Sequence, residues 1–226
     1  MRYACGMKTL IFHFDVVSPY AYLAFERLPH ALAGLSHAVR YRPLLFAGLL
    51  KHWGQLGPAE IAPKRDWTYR QMLWLAQAHG VVLQPPAAHP FNPLALLRLL
   101  VAAGIGGEPN RAQCEAAFAH VWRSGGAAAD DPQRTAALEA QLAQMAGGAL
   151  PRAPQSDAVK AQLRAHTEAA LARGIFGVPT IEVDDKLFWG FDALPMLAAY
   201  LRGDAWFASG AWERAAQLPA GAARMR

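Results

Sequence analysis

The order in which the hydrophobic period changes along the chain constrains its fold more than any other feature. "TLIFHF", Thr9 to Phe14, is a short, β-rich apolar run and reads as a buried strand. Ser18-Pro19 then opens a helix, serine as N-cap and proline at the first helical position, which runs to about Leu32 and stops at Gly34. "HAVRYRP" alternates and predicts a second strand from about Ala38 to Arg42. Strand, helix, strand implies a right-handed unit with a parallel pair. From about Phe46 to Ala172 the period is helical throughout. Strand character returns at "GVPTIEVDDKLFWG", a predicted hairpin of Thr180–Val183 and Leu187–Trp189 turning at Asp184-Asp185. A last helix runs from Asp192 to about Leu201. The pattern is an α/β layer split by a helical insertion. It predicts a discontinuous α/β domain over 1–45 and 173–204, a helical domain over 46–172, and a basic, Ala-rich tail over 205–226.

Within the helical block, Tyr69, Met72, Leu73 and Ala76 share one face of the first long helix. "FNPLALLRLLVAAG" takes Asn92 as cap and Pro93 as first residue, and is apolar almost all round. Asn110 and Gln113 form a capping box. Asp131-Pro132 opens the next helix, which carries Leu138, Leu142 and Met145. The last helix of the block carries Val159, Leu163, Thr167, Ala170 and Leu171.

With 54% hydrophobic and 17% charged residues, the chain can bury a sizeable core. A net charge of +5 comes from scattered arginines, with no basic run interleaved with aromatics, which argues against a nucleic-acid partner. Anionic small substrates suit the same field. Cys5 and Cys114 form neither a metal pattern nor a redox pair. Cys114 sits on an apolar helix face with Ala117, Phe118, Val121 and Trp122 and reads as a buried thiol. The eight histidines show no ligand spacing, so no metal is expected, and His13 reads as a core residue. No run reaches the length of a membrane helix and no signal peptide is visible, so a cytoplasmic location without a membrane partner is expected. Met7, after the leader "MRYACG", is an alternative start to Met1.

The junction residues carry the chemistry. Where many redox proteins place C-x-x-C at a strand-to-helix turn, this chain has Ser18-Pro19-Tyr20-Ala21. Locally Ser18 is an N-cap. Functionally, the helix N-terminus favours an anion, and a serine hydroxyl adds one donor to a thiolate held there. Val178-Pro179 opens a strand, either as a plain strand start or with the Val178 N–H and C=O free to pair with a peptide-like ligand. Asp192 is either a helix cap or a carboxylate for a ligand ammonium, and Trp189 reads first as packing. Arg98, a charge in an apolar helix, either snorkels or points its fork at a carboxylate.

"FDVVSPYAYLA" with "GIFGVPTIEVDDKLFWGFDALPML", and between them "GPAEIAPKRDWTYRQMLWLA" and "PFNPLALLRLL", resembles the 2-hydroxychromene-2-carboxylate isomerases, relatives of kappa-class glutathione transferases and DsbA-like proteins. The resemblance runs from about Lys8 to Tyr200. It implies a thioredoxin-like fold with an inserted helical domain, a homodimer, and glutathione as a nucleophilic cofactor that is not consumed. On this resemblance Ser18 bonds the glutathione sulfur. Val178, ahead of a cis Pro179, pairs with the cysteinyl backbone, and Trp189, Phe191 and Asp192 lie at the glutathione site. Tyr20, Lys64, Asn92 and Arg98 are the corresponding candidates for a small aromatic or anionic substrate. The chain departs from naphthalene-pathway relatives at Phe191-Asp192-Ala193, where they carry Asn-Asp-Arg, and at Glu60, where they carry asparagine. The implied activity is a glutathione-dependent cis-trans isomerisation in aromatic degradation. A kappa-type transferase or peroxidase and a non-catalytic DsbA-like binding protein are the alternatives.

Overall fold

The structure is a computed structural model that describes residues 7–219 and residue 221; Cys5 and the Met1–Gly6 leader lie outside the described residues. Strand β1 (Lys8–Phe14) leads into helix α1 (Pro19–Ala31) and strand β2 (His37–Pro43). Helices α2 (Phe46–Trp53), α3 (Ala62–Ala78), α4 (Leu94–Ala103), α5 (Arg111–Trp122), α6 (Pro132–Met145) and α7 (Asp157–Ala172) follow. Strands β3 (Thr180–Val183) and β4 (Lys186–Trp189) form the hairpin, turning at Asp184 with φ 51°. A 3₁₀ turn (Phe191–Ala193) then enters helix α8 (Leu194–Leu201).

One four-stranded sheet is ordered β2-β1-β3-β4, with β1 parallel to β2 and antiparallel to β3. This is the α/β arrangement with a helical insertion that the changing period predicts. The layers nonetheless share one core. Leu10, Phe12 and Phe14 of β1 are fully buried, and Phe14 and Phe25 pack on Phe118 of α5 at 5.3 and 5.0 Å between ring centres. Aromatic burial of this kind is worth ~2–3 kcal/mol per ring, so α5 is welded to the sheet.

His13 is buried, as its place in the apolar strand predicts. It is held by Glu182 at 3.0 Å, and burial lowers its pKa. Cys114 is buried in the α5 face, and burial raises its thiol pKa. The Asn110–Gln113 capping box forms, and Asp131 caps α6.

Several details differ from the expectations. Pro93 takes the cap position of α4, while Asn92 Oδ1 accepts from the Leu94 N–H. On α3 the buried residues are Thr68, Met72 and Ala76, and Leu73 faces outward. Met145, the last residue of α6, is also exposed. Beyond Gly203 the chain forms two short helices, α9 (Ala205–Ala208) and α10 (Ala211–Ala215), which carry Phe207 and Trp212 onto Phe188 and Tyr200. No helix among the described residues is long and apolar enough to cross a membrane.

Candidate functional site

The turn between β1 and α1 is held from several directions at once. Asp15, fully buried, accepts the Val17 N–H at 3.0 Å through one carboxylate oxygen and the Phe46 N–H at 2.9 Å through the other. The Trp122 indole N–H donates to the Val16 carbonyl at 2.9 Å. His89 reaches the Val17 carbonyl with Nε2 at 2.7 Å, and Tyr69 meets its Nδ1 at 2.9 Å. Burial lowers the His89 pKa, so the ring is neutral with its proton on Nε2 toward that carbonyl. Burial also pushes the Asp15 carboxyl up to about 7. Helices α3 and α5, the segment after α3, and the start of α2 thus fix one four-residue turn. Nothing local marks His89 or Trp122 for this work. The one sequence signal is an acid, Asp15, directly after an apolar strand.

This turn presents Ser18. Its side chain caps α1 by accepting the Ala21 N–H at 3.2 Å, as the Ser-Pro start predicts, and its hydroxyl donates to the Val178 carbonyl at 3.4 Å. The helix terminus offers fewer donors than an ideal anion site. Pro19 has no N–H and the Ala21 N–H is taken by the cap, which leaves the Tyr20 N–H without a partner among the described residues. The peptide bond Val178–Pro179 is cis. The Val178 N–H has no hydrogen-bond partner among the described residues, but its carbonyl is not free as expected, since it carries the long bond from Ser18.

A cleft of about 800 Å³ opens beside this junction, between α1, α3 and the turn into α8. Its volume lies within the usual range for a small-molecule site. Tyr20, Val178, Trp189, Phe191 and Asp192 all line it; Ser18 is buried and does not line it itself, but its hydroxyl bonds the carbonyl of Val178, which does. Trp189 is half exposed into the cleft, its ring 4.7 Å from that of Phe176. Gly177 permits this placement: a Cβ there would meet the indole nitrogen at 2.5 Å. Asp192 caps no helix. It lies inside the 3₁₀ turn, exposed, and its carboxylate has no hydrogen-bond partner among the described residues. Phe191 turns its ring edge to His79 at 5.0 Å. The Tyr20 hydroxyl donates to Gln71 Oε1 at 2.6 Å, and burial together with the Asp192 charge raises its pKa, so it stays a neutral donor.

Three substrate-side candidates are not brought to this cleft. Lys64 is exposed near the start of α3, Asn92 serves the start of α4, and Arg98 donates to Gln155 at 3.1 Å with its Nε buried and unpartnered. Pro179 sits behind Val178 and takes the Gly190 N–H on its carbonyl at 2.9 Å.

A fixed turn, a hydroxyl, an unpartnered backbone N–H and an unpartnered carboxylate around one cleft can hold a short peptide and orient a group at the start of α1. There is no dithiol, because Ser18 and Ala21 occupy the ends of the four-residue motif.

Comparison with known proteins shows the family of the chain. The family model described as "DSBA-like thioredoxin domain" matches residues 9–202. A 2-hydroxychromene-2-carboxylate isomerase of Sphingobium xenophagum is 30% identical over 198 residues, covering 86% of this chain and 98% of that protein. Glutathione S-transferase kappa 2 of Caenorhabditis elegans is 26% identical over 206 residues, covering 86% of this chain and 92% of that one. A solved structure of a 2-hydroxychromene-2-carboxylate isomerase superposes with a TM-score of 0.71 at 24% identity, covering 94% of this chain and all of the other. The chain therefore belongs to the DSBA-like thioredoxin domain family and, within it, to the 2-hydroxychromene-2-carboxylate isomerases.

Proposed function

We propose that this isomerase-family enzyme catalyses the cis-trans isomerisation of a conjugated aromatic substrate with glutathione as cofactor. The carrying observation is the approach of Ser18 to Val178 at the edge of the cleft, with alanine in the place of a second cysteine. Three features of the chain fit a γ-glutamyl tripeptide. The Val178 N–H is an unsatisfied donor before a strand, suited to pairing with a peptide carbonyl. Asp192 is an exposed acid with no partner among the described residues, suited to an ammonium. Ser18 carries a hydroxyl whose present bond, at 3.4 Å, is long enough to exchange at little cost.

When bound, glutathione would supply a thiolate nucleophile that adds reversibly to a conjugated C=C bond and so permits rotation about it. The chain's own residues do the rest. Ser18 donates its hydroxyl proton toward a sulfur anion, and the dipole of α1 favours negative charge at that point. Asp15, Trp122 and His89 keep the turn from moving as charge develops, so orientation is set before reaction. Tyr20, a neutral donor in the cleft wall, can hydrogen-bond an oxygen of the substrate. The apolar faces of Phe191, Leu75 and Leu194 suit an aromatic ring.

The test combines calorimetry with glutathione and a turnover assay on 2-hydroxychromene-2-carboxylate with and without it. Binding and glutathione-dependent turnover are the expected results; turnover unaffected by glutathione overturns the proposal. The kappa-class relatives favour one second reading, transfer of glutathione to an electrophile from the same cleft. Conjugation of a chlorodinitrobenzene-type electrophile faster than chromene turnover would favour it.

A further inference from the structure

The cleft does not end at the active turn. Tyr20, Arg27, His30 and Ala31 lie on one side of α1 and all line the same cavity, while Leu23 and Ala24 between them are fully buried. At 1.5 Å per residue, Arg27 and His30 lie roughly 14–18 Å along the helix from Ser18. Arg202, the residue that caps α8 at its C-terminus, lines the same cavity.

The far end is basic and lacks compensation. Asp192 is the only carboxylate among the residues that line the cleft. Arg202 makes no ion pair and no side-chain hydrogen bond among the described residues. Arg27 spends one N–H on the His79 carbonyl at 3.3 Å and one on His30 Nδ1 at 2.9 Å, but meets no acid. Because His30 Nδ1 accepts from Arg27, the proton of the neutral ring sits on Nε2, directed away from that bond. Guanidinium groups in a partly walled cleft attract and orient planar anions.

We propose that Arg27, His30 and Arg202 form an anion subsite that takes a carboxylate or sulfonate of an elongated aromatic second substrate. The proposal rests on the glutathione reading above, because it assigns the near end of the cleft to the tripeptide. The tripeptide's own carboxylates are the other source of the same chemistry. The apolar part of the same wall, Leu75 and Leu194, favours the second substrate as occupant, aromatic body against the leucines and anionic end at the arginines, and glutathione calorimetry on the variants separates it from the tripeptide.

The test uses the full-length protein and two dyes, the anionic 8-anilinonaphthalene-1-sulfonate and the neutral N-phenyl-1-naphthylamine. Arg202→Ala and Arg27→Ala are each expected to weaken the sulfonate dye about tenfold, the scale of one charge-assisted hydrogen bond, with Arg202→Lys restoring most of the loss. The neutral dye and glutathione itself, followed by calorimetry, should bind as in the wild type. Sulfonate binding indifferent to both substitutions overturns the subsite. So does an equal loss for the neutral dye, which would report a collapsed wall. Glutathione affinity falling in parallel with the sulfonate would assign the arginines to the tripeptide and overturn the second-substrate assignment. Failure of glutathione to bind the wild type, with sulfonate binding still dependent on Arg202, would overturn the proposed function and leave the anion subsite standing.

Discussion

The Ser18 hydroxyl oxygen lies 3.4 Å from the Val178 carbonyl oxygen, although 160 positions separate the two residues. Two chain segments at opposite ends of the sequence thus meet over the start of one helix. The contact is long and weak, so it holds the hydroxyl in place without committing it. Ser18→Ala should reduce turnover by ~10- to 1000-fold, the effect of removing one donor from a developing charge. It should also cost about 1 kcal/mol of stability through the lost cap. Steady-state kinetics and urea denaturation separate the two effects, and unchanged turnover would remove Ser18 from the site.

The turn that carries Ser18 is fixed by groups distant in the chain. Trp122→Phe keeps the stacked ring beside Tyr22 but leaves the Val16 carbonyl buried without its donor. The expected cost is ~1–3 kcal/mol, with turnover lowered more than the affinity for glutathione, because orientation is lost rather than contact. A drop in affinity with turnover per bound complex intact would contradict this division.

Asp192 carries a charge that nothing among the described residues neutralises. Asp192→Asn keeps the shape and removes the charge. Glutathione binding should weaken by up to about fivefold, as for an exposed ion pair, with kcat near that of the wild type. The loss should shrink at high salt. A fall in kcat at unchanged KM would place Asp192 in the chemistry rather than in binding.

Legibility tracked the range of the interaction. The Ser18-Pro19 start, the Asn110–Gln113 box and the Asp184-Asp185 turn were readable because their partners lie within a few residues. The changing hydrophobic period gave the sheet and the inserted helices for the same reason. His89 and Trp122 reach the β1–α1 turn across 72 and 106 positions, and no local pattern encodes that. Leu73 turns out and Thr68 in because what packs on α3 decides its buried face, and composition on α3 is apolar on more than one side. The basic lining of the cleft was equally hidden, since Arg27 and Arg202 come to line one cavity only when α8 packs against α1.

Gly177 makes room for Trp189. Gly177→Ala would bring a methyl group to 2.5 Å from the indole nitrogen, closer than van der Waals contact permits, and the ring would have to leave the Phe176 face. The fluorescence of the variant should shift to the red as the indole moves into water, and glutathione affinity should fall severalfold with little loss of stability, because Trp189 is half exposed already. An unchanged spectrum would show that the backbone yields instead of the ring.

Asp15 gives the stability of the protein a distinctive pH dependence. Its carboxyl is raised from 3.8 to about 7 in the folded chain, so the folded state holds its proton more tightly than the unfolded state does. The resulting stability is fully present below about pH 4 and is lost as pH rises to about 7, after which it changes no further. Three pKa units correspond to about 4 kcal/mol as an upper bound. His13, His89, His120 and His166, all lowered by burial, act in the opposite direction up to pH 6.5 and mask part of the slope. The difference between wild type and Asp15→Asn removes that background. The amide accepts through one oxygen only, so either the Val17 or the Phe46 N–H loses its partner at a constant cost. Relative to wild type the variant should therefore be least stable near pH 4 and recover steadily toward pH 7. Urea midpoints measured between pH 4 and 8 check this. A difference that stays flat with pH would mean that Asp15 is ionised in the folded chain across the whole range, with its two backbone donors outweighing its burial.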